Sequence, residues 1–166
     1  EALQRSQAVI YFTPDGTILD ANDNFLNAMG YRREEVVGKH HRIFADPNYA
    51  NSQAYQQFWQ QLNRGEYVAG EFQRFGKGGR EVWIQASYNP IMDMNGRPFK
   101  VVKYAADVTQ QKLKNAEAEL SSQKTAVEEL KQDLAKKKAF IDEFQPKMVK
   151  LYEQLVRIKE KKDWRL

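Results

Sequence analysis

From Leu113 onward an apolar residue returns at every seventh position, through Leu120, Val127, Leu134, Ile141, Met148 and Leu155. A second series set three residues later holds Ala116, Leu130, Phe144, Leu151 and Ile158, interrupted by Gln123 and Lys137. Two interleaved heptad series predict a coiled coil, because a strict seven-residue repeat keeps one stripe facing a partner only if the helices supercoil. A single amphipathic helix folded back on its own domain is the alternative. β-Branched and γ-branched residues mix at the first heptad position, so the seam itself does not fix the number of strands. Pro146 falls outside the seam but inside the run. It removes one helical hydrogen bond and crowds the carbonyl of Asp142, at about 3 kcal/mol in an ideal helix, which predicts a kink near residues 142–146. A complete break there would let the last segment turn back as a hairpin.

The composition changes at the point where the heptads start. After Gln110 the only aromatic residues are Phe140, Phe144, Tyr152 and Trp164, and the net charge of +4 resides in this tail. Residues 1–110 are charge-neutral by count and rich in aromatics, as one small globular domain requires. No apolar run approaches the length of a membrane helix and no leader opens the chain, so no membrane contact and a cytoplasmic location are expected. The chain has no cysteine, which removes disulfides, thiolate metal sites and thiol nucleophiles.

Within the first part, residues 8–12 and 17–20 flank Pro14-Asp15-Gly16, a turn tripeptide that predicts a hairpin. Asn22-Asp23-Asn24 offers an N-cap for a helix that stops at Gly30, and residues 33–37 predict a second short helix. The stretch His40 to Pro47 has neither helical nor strand period and reads as turns over the core. Beyond Ser52, Tyr55, Phe58, Trp59 and Leu62 recur at helical spacing up to Gly65. Strands are predicted at 67–75, 81–89 and 99–106, joined by Gly76-Lys77-Gly78-Gly79 and a turn at Asn95-Gly96. In the middle strand Val82, Ile84, Ala86 and Tyr88 share one face while Trp83, Gln85, Ser87 and Asn89 share the other, so both faces are expected to be at least partly covered. The order gives an α+β fold, a five-stranded antiparallel sheet with short helices on one face, followed by the long C-terminal helix.

Residues 15–22, Met29-Gly30-Tyr31, residues 35–39, Lys77-Gly78-Gly79, residues 83–90 and Asp107-Val108-Thr109 together resemble the PAS family. The run from Gly38 to Asp46 is most similar to PAS domains of bacterial methyl-accepting chemotaxis receptors. The resemblance covers about residues 5 to 110 and implies a PAS sensor domain at 1–110, leaving 111–166 as a signalling or dimerisation helix. It implies a sensory module that detects a small ligand, redox state or gas and acts as a homodimer through the C-terminal helix, parallel over 111–145. An output domain is then missing or replaced, and a foreign helix fused to the domain is one origin for the shift in composition. The alternative is a ligand-free structural dimerisation module.

Chemistry in the enzymatic sense is not expected: the sequence has no phosphate-cradling glycine loop, no metal-ligand spacing and no nucleophile paired with a base. Both histidines precede the long helix, so that helix lacks a phosphoacceptor histidine. No basic stripe interleaved with aromatics points to nucleic acid. For cofactors, haem b held by His40 or His41, with Trp59 or Trp83 near its distal side, is the first expectation. FAD is the second. Where flavin-binding relatives carry a Trp and an Asn, this chain has Val68 and Arg74, and it lacks the cysteine that light-sensing relatives use. At the junction Asp107 is expected to cap the helix with Gln110 as reciprocal partner. The resemblance adds a basic partner for Asp107, with Lys77 or Arg80 as candidates, and makes Asp107 to Thr109 the route of signal transfer.

Overall fold

A computed structural model describes residues 7–163. Its chain divides between Lys114 and Asn115 into two units. The first unit opens with β1 (Ala8–Phe12) and β2 (Ile18–Ala21), an antiparallel hairpin. Gly16 makes the connecting turn at φ 92°, a left-handed conformation that costs a side-chain-bearing residue about 1–2 kcal/mol. Helix α1 (Asp23–Met29) starts where the Asn22 side chain accepts the Phe25 N–H and stops at Gly30 with φ 75°. Helix α2 (Arg33–Val36) follows, then a 3₁₀ turn at His41–Phe44, helix α3 (Pro47–Ala50) and helix α4 (Gln53–Asn63). The turns expected from His40 to Pro47 take the form of the 3₁₀ turn and the start of α3. Ser52 caps α4 by accepting the Tyr55 N–H, and Tyr55, Phe58, Trp59 and Leu62 form its buried stripe.

Three long strands close the unit: β3 (Val68–Phe75), β4 (Glu81–Met92) and β5 (Pro98–Asp107). The sheet has five antiparallel strands in the order β2-β1-β5-β4-β3. Register decides what meets. Directly opposed residues share a face, so Arg74 and Val82, Phe72 and Ile84, and Tyr88 and Lys103 all line the same inner face. This face packs against Phe25, Leu26, Met29, Phe44, Tyr55, Phe58, Trp59 and Leu62 of the helical layer in one core. The outer face is covered only in part among the described residues, where the Lys112 ammonium lies 4.3 Å from the centre of the Trp83 ring.

Helix α5 (Thr109–Asp163) begins in the first unit and supplies the second. It continues helical through Pro146, so the interruption expected near residues 142–146 is not a break and the hairpin is not formed. The Pro146 ring costs one internal bond, and the turns on either side retain theirs. Leu120, Val127, Leu134, Ile141, Met148 and Leu155 each expose half or more of their surface. The heptad stripe is therefore continuous along one helix and uncovered within a single chain.

Candidate functional site

His41 stands at the centre of the helical layer's contact with the sheet, fully buried. The 3₁₀ turn that begins at this residue aims its ring inward, while His40, one residue earlier and extended, points toward the hairpin turn. His41 Nδ1 lies 2.9 Å from the Tyr55 hydroxyl and Nε2 lies 3.1 Å from the Tyr88 hydroxyl. Rings of Phe12, Phe44, Tyr55, Phe58, Trp59 and Tyr88 surround the imidazole with centroids 5.4 to 6.3 Å away. Arg74, inward-facing on β3, donates from Nη2 to the Tyr88 hydroxyl at 3.3 Å and from Nη1 to its neighbour's carbonyl, Gln73, at 2.8 Å.

An arginine can only donate, so Tyr88 is the acceptor of the Arg74 bond. The buried Tyr88 proton then has His41 Nε2 as its acceptor among the described residues, and donating there is the arrangement that leaves neither group unsatisfied. His41 is then the Nδ1–H tautomer, donating to Tyr55, an assignment that follows from the network rather than from hydrogen positions. The Tyr55 hydroxyl in turn lies 3.5 Å from His40 Nδ1. Burial pushes His41 well below the ordinary histidine range, and the nearby Arg74, Lys103 and His40 lower it further, so the ring is neutral.

Two basic side chains share this interior. Arg74 is 3% exposed and Lys103 is 1% exposed, and no carboxylate is buried among the described residues. The Lys103 ammonium sits 4.9 Å from the centre of the Tyr88 ring and 5.3 Å from that of Phe25. Burial, and then the charge on Arg74, hold the Lys103 amine well below the usual lysine range. Arg74 Nε is buried with no hydrogen-bond partner. These two residues, with Tyr55 and Tyr88, are the functional candidates that sequence reasoning missed. Their signal was present: Arg74 and Lys103 each interrupt an inward-facing apolar series on a strand.

The predicted cofactor residues do not converge as expected. Trp59 does join His41, edge to face at 5.5 Å. Trp83 is on the outer face, because strand alternation sends it opposite to Val82 and Ile84, and its Nε1 donates to Glu81 at 2.7 Å. The haem expectation is not supported, since a haem iron requires an imidazole nitrogen with open space before it. Both His41 nitrogens are engaged by tyrosine hydroxyls, His40 Nδ1 accepts the Arg42 N–H at 3.1 Å, and His40 Nε2 donates to the Asp15 carbonyl at 2.7 Å.

At the junction Asp107 accepts the Thr109 N–H at 2.9 Å, holding the chain as it leaves β5. Gln110 is exposed and makes no reciprocal bond to Asp107. Neither Lys77 nor Arg80 pairs with Asp107: Lys77 bridges to Glu35 at 2.6 Å and Arg80 donates to the Ala28 carbonyl, so the hairpin carrying them is tied to the α1–α2 region. The helix start is fastened to β4 instead. Val108 N–H donates to the Trp83 carbonyl at 2.8 Å, Trp83 N–H donates to Thr109 Oγ1 at 2.9 Å, and Lys112 bridges to Glu71 on β3 at 2.6 Å.

Comparison with known proteins agrees with this architecture. The family described as PAS fold matches residues 18–105. The biofilm dispersion protein BdlA of Pseudomonas aeruginosa is 51% identical over 107 residues, 64% of this chain and 26% of that protein. The aerotaxis receptor of Escherichia coli is 29% identical over 75 residues, 45% of this chain and 15% of that protein. The chain thus spans about a quarter or less of the length of these relatives. Among solved structures, a light-oxygen-voltage domain studied with a flavin analogue superposes with a TM-score of 0.57 at 27% identity, over 71% of this chain and 93% of that one. No helix among the described residues is long and apolar enough to cross a membrane. With sheet order, helical layer and family match in agreement, the chain belongs to the PAS family of sensory domains, followed by a long C-terminal helix.

Proposed function

We propose that this chain is a signal-input module in which a change in the interior around His41, Arg74 and Tyr88 is passed through β4 to a dimeric coiled coil. The observation that carries this reading is the pair of hydrogen bonds joining the Trp83 backbone to the Val108 N–H and the Thr109 hydroxyl. Trp83 is on the same strand as Tyr88, so a shift of β4 that re-pairs the Tyr88 hydroxyl also moves the first turn of α5. Lys112, bridged to Glu71 and resting on Trp83, extends that hold to the next helical turn. The uncovered heptad stripe supports pairing of two helices from two copies, since alone in water it leaves a long apolar seam exposed. Asp107 is a positioning residue in this scheme, and Lys77 and Arg80 tie the far hairpin to the helical layer.

A flavin is the cofactor that the flavin-linked relative brings into question. The residues in place do not fit its three-ring plane. Phe58 and Tyr88 meet at 4.9 Å between ring centres, and Phe12, Trp59 and Phe72 close the same space at 5.5 to 5.8 Å. The same close packing favours, as the second reading, a structural dimerisation module whose PAS interior holds no ligand.

The absence of cysteine gives a direct test. A single Ser122→Cys substitution, spin-labelled, reports the distance between two copies across the helical pair. Tyr88→Phe in the interior should change that distance distribution, and Thr109→Val should abolish the change while the domain stays folded. A distance unaffected by Tyr88→Phe sinks the input role and leaves the dimerisation module.

A further inference from the structure

We propose that Arg74, the Tyr88 hydroxyl and Lys103 form a binding site for the carboxylate of a small organic acid. The inference rests on the signal-input reading and names the chemistry of what enters. Arg74 and Lys103 are both within the interior, and neither has an anionic partner: among the described residues the buried polar side chains are His41, Arg74 and Lys103. Burying an unpaired guanidinium costs several kcal/mol, which a fold tolerates when a ligand supplies the counter-charge.

Geometry narrows the ligand. Nη1 and Nη2 of Arg74 already hold the Gln73 carbonyl and the Tyr88 hydroxyl, both neutral oxygens, while Nε is buried and unpaired. Nε and Nη2 form the edge of a guanidinium that a carboxylate engages with two parallel bonds. A carboxylate arriving there takes the free Nε and replaces or shares the Tyr88 hydroxyl at Nη2. Lys103, directly opposite Tyr88 in the sheet, has its amine nitrogen against aromatic faces rather than on an oxygen, and an anion entering beside the Tyr88 ring would favour its charged form. The walls are apolar. The Arg74 guanidinium stands 4.9 Å from the Phe72 ring centre and 5.9 Å from that of Tyr49, two half-buried side chains that a ligand would displace to reach it. A compact acid with an apolar body matches these walls better than an inorganic anion does. Loss of the Arg74 to Tyr88 bond on binding would re-pair the Tyr88 hydroxyl on β4, the strand fastened to the helix start.

Isothermal calorimetry on the full chain tests this with acetate, butyrate, benzoate and succinate, each against its neutral amide, and with phosphate. At least one carboxylate should bind with Kd below about 1 mM, and its amide should not. Arg74→Met should weaken that binding at least about tenfold and Lys103→Met by a smaller factor, with urea unfolding confirming that both variants are folded. Arg74→Lys, which retains the charge, keeps the test valid if the Met variant fails to fold, and should bind more weakly than the parent. Amides that bind equally, phosphate that binds as tightly as every organic acid, binding unchanged in the folded Arg74 variant, or no carboxylate below about 10 mM would each overturn the site. Calorimetry needs no output, so its failure leaves the spin-label test of signal transfer standing, and the reverse also holds.

Discussion

Tyr88→Phe removes one oxygen and leaves every ring contact of the core in place. That oxygen accepts from Arg74 at 3.3 Å and donates to His41 Nε2 at 3.1 Å. Without it a buried charged donor loses one of its acceptors and a buried imidazole nitrogen loses its donor. A hydrogen bond to a charged group contributes roughly 1.5–3 kcal/mol, and an orphaned buried polar atom costs roughly 1–3 kcal/mol. Both bonds are long, so the lower halves of these ranges apply, and the expected loss is about 2.5–4 kcal/mol. Arg74→Met removes the charge itself and should be nearly neutral or stabilising, because replacing a buried charge by an apolar chain of similar volume relieves its desolvation. The double variant should then cost about 1 kcal/mol less than the sum of the singles, since loss of the Tyr88 hydroxyl no longer strands a guanidinium. Urea unfolding followed by tryptophan fluorescence measures all three, with Trp59 beside His41 as the local reporter. A Tyr88→Phe loss below about 0.5 kcal/mol, or strict additivity in the cycle, would refute the directed chain from Arg74 to His41.

Stability should fall as the pH is lowered from about 6.5 toward about 5, by up to about 1.4 kcal/mol per pH unit for the fully buried His41 and by less for the partly exposed His40. Burial lowers both His40 and His41, so in that window the unfolded chain binds protons the folded chain refuses; His41→Gln should flatten the slope measured by urea unfolding at successive pH values, and an unchanged slope would exclude His41 as its source. Gly16→Ala forces a side chain to adopt φ 92° and brings Cβ to 2.8 Å from both His40 Nε2 and Trp59 Cζ2, so a loss of about 2 kcal/mol or more is expected in thermal or urea unfolding. Asp107→Ala should cost about 1 kcal/mol through the lost bond to the Thr109 N–H, with full parental stability arguing against that cap. Leu120→Lys combined with Leu134→Lys should convert the chain to monomers in analytical ultracentrifugation, whereas an unchanged mass would place self-association in the PAS unit.

Local signals in the sequence determined where elements begin and end. Asn22 and Ser52 cap the helices that follow because their side chains reach an N–H two or three residues on, whatever the rest of the fold does. The seven-residue period of α5 and the alternation in β4 are equally local, since both follow from the backbone repeat of a single element. Site assembly was different in kind. Whether His40 or His41 enters the core depends on the 3₁₀ turn that separates their directions, and the period of the sequence carries no trace of that turn. Trp83 was legible as opposite to Tyr88 in face, but which face meets the helical layer is set by the packing of β4 against α4. Arg74, Tyr88 and Lys103 come from three strands, and only the antiparallel register that opposes Tyr88 to Lys103 and Arg74 to Val82 brings them around one ring. Lys77 and Arg80 found Glu35 and the Ala28 carbonyl instead of Asp107 because the β3–β4 hairpin leans on the helical layer, a long-range choice that no neighbouring residue encodes.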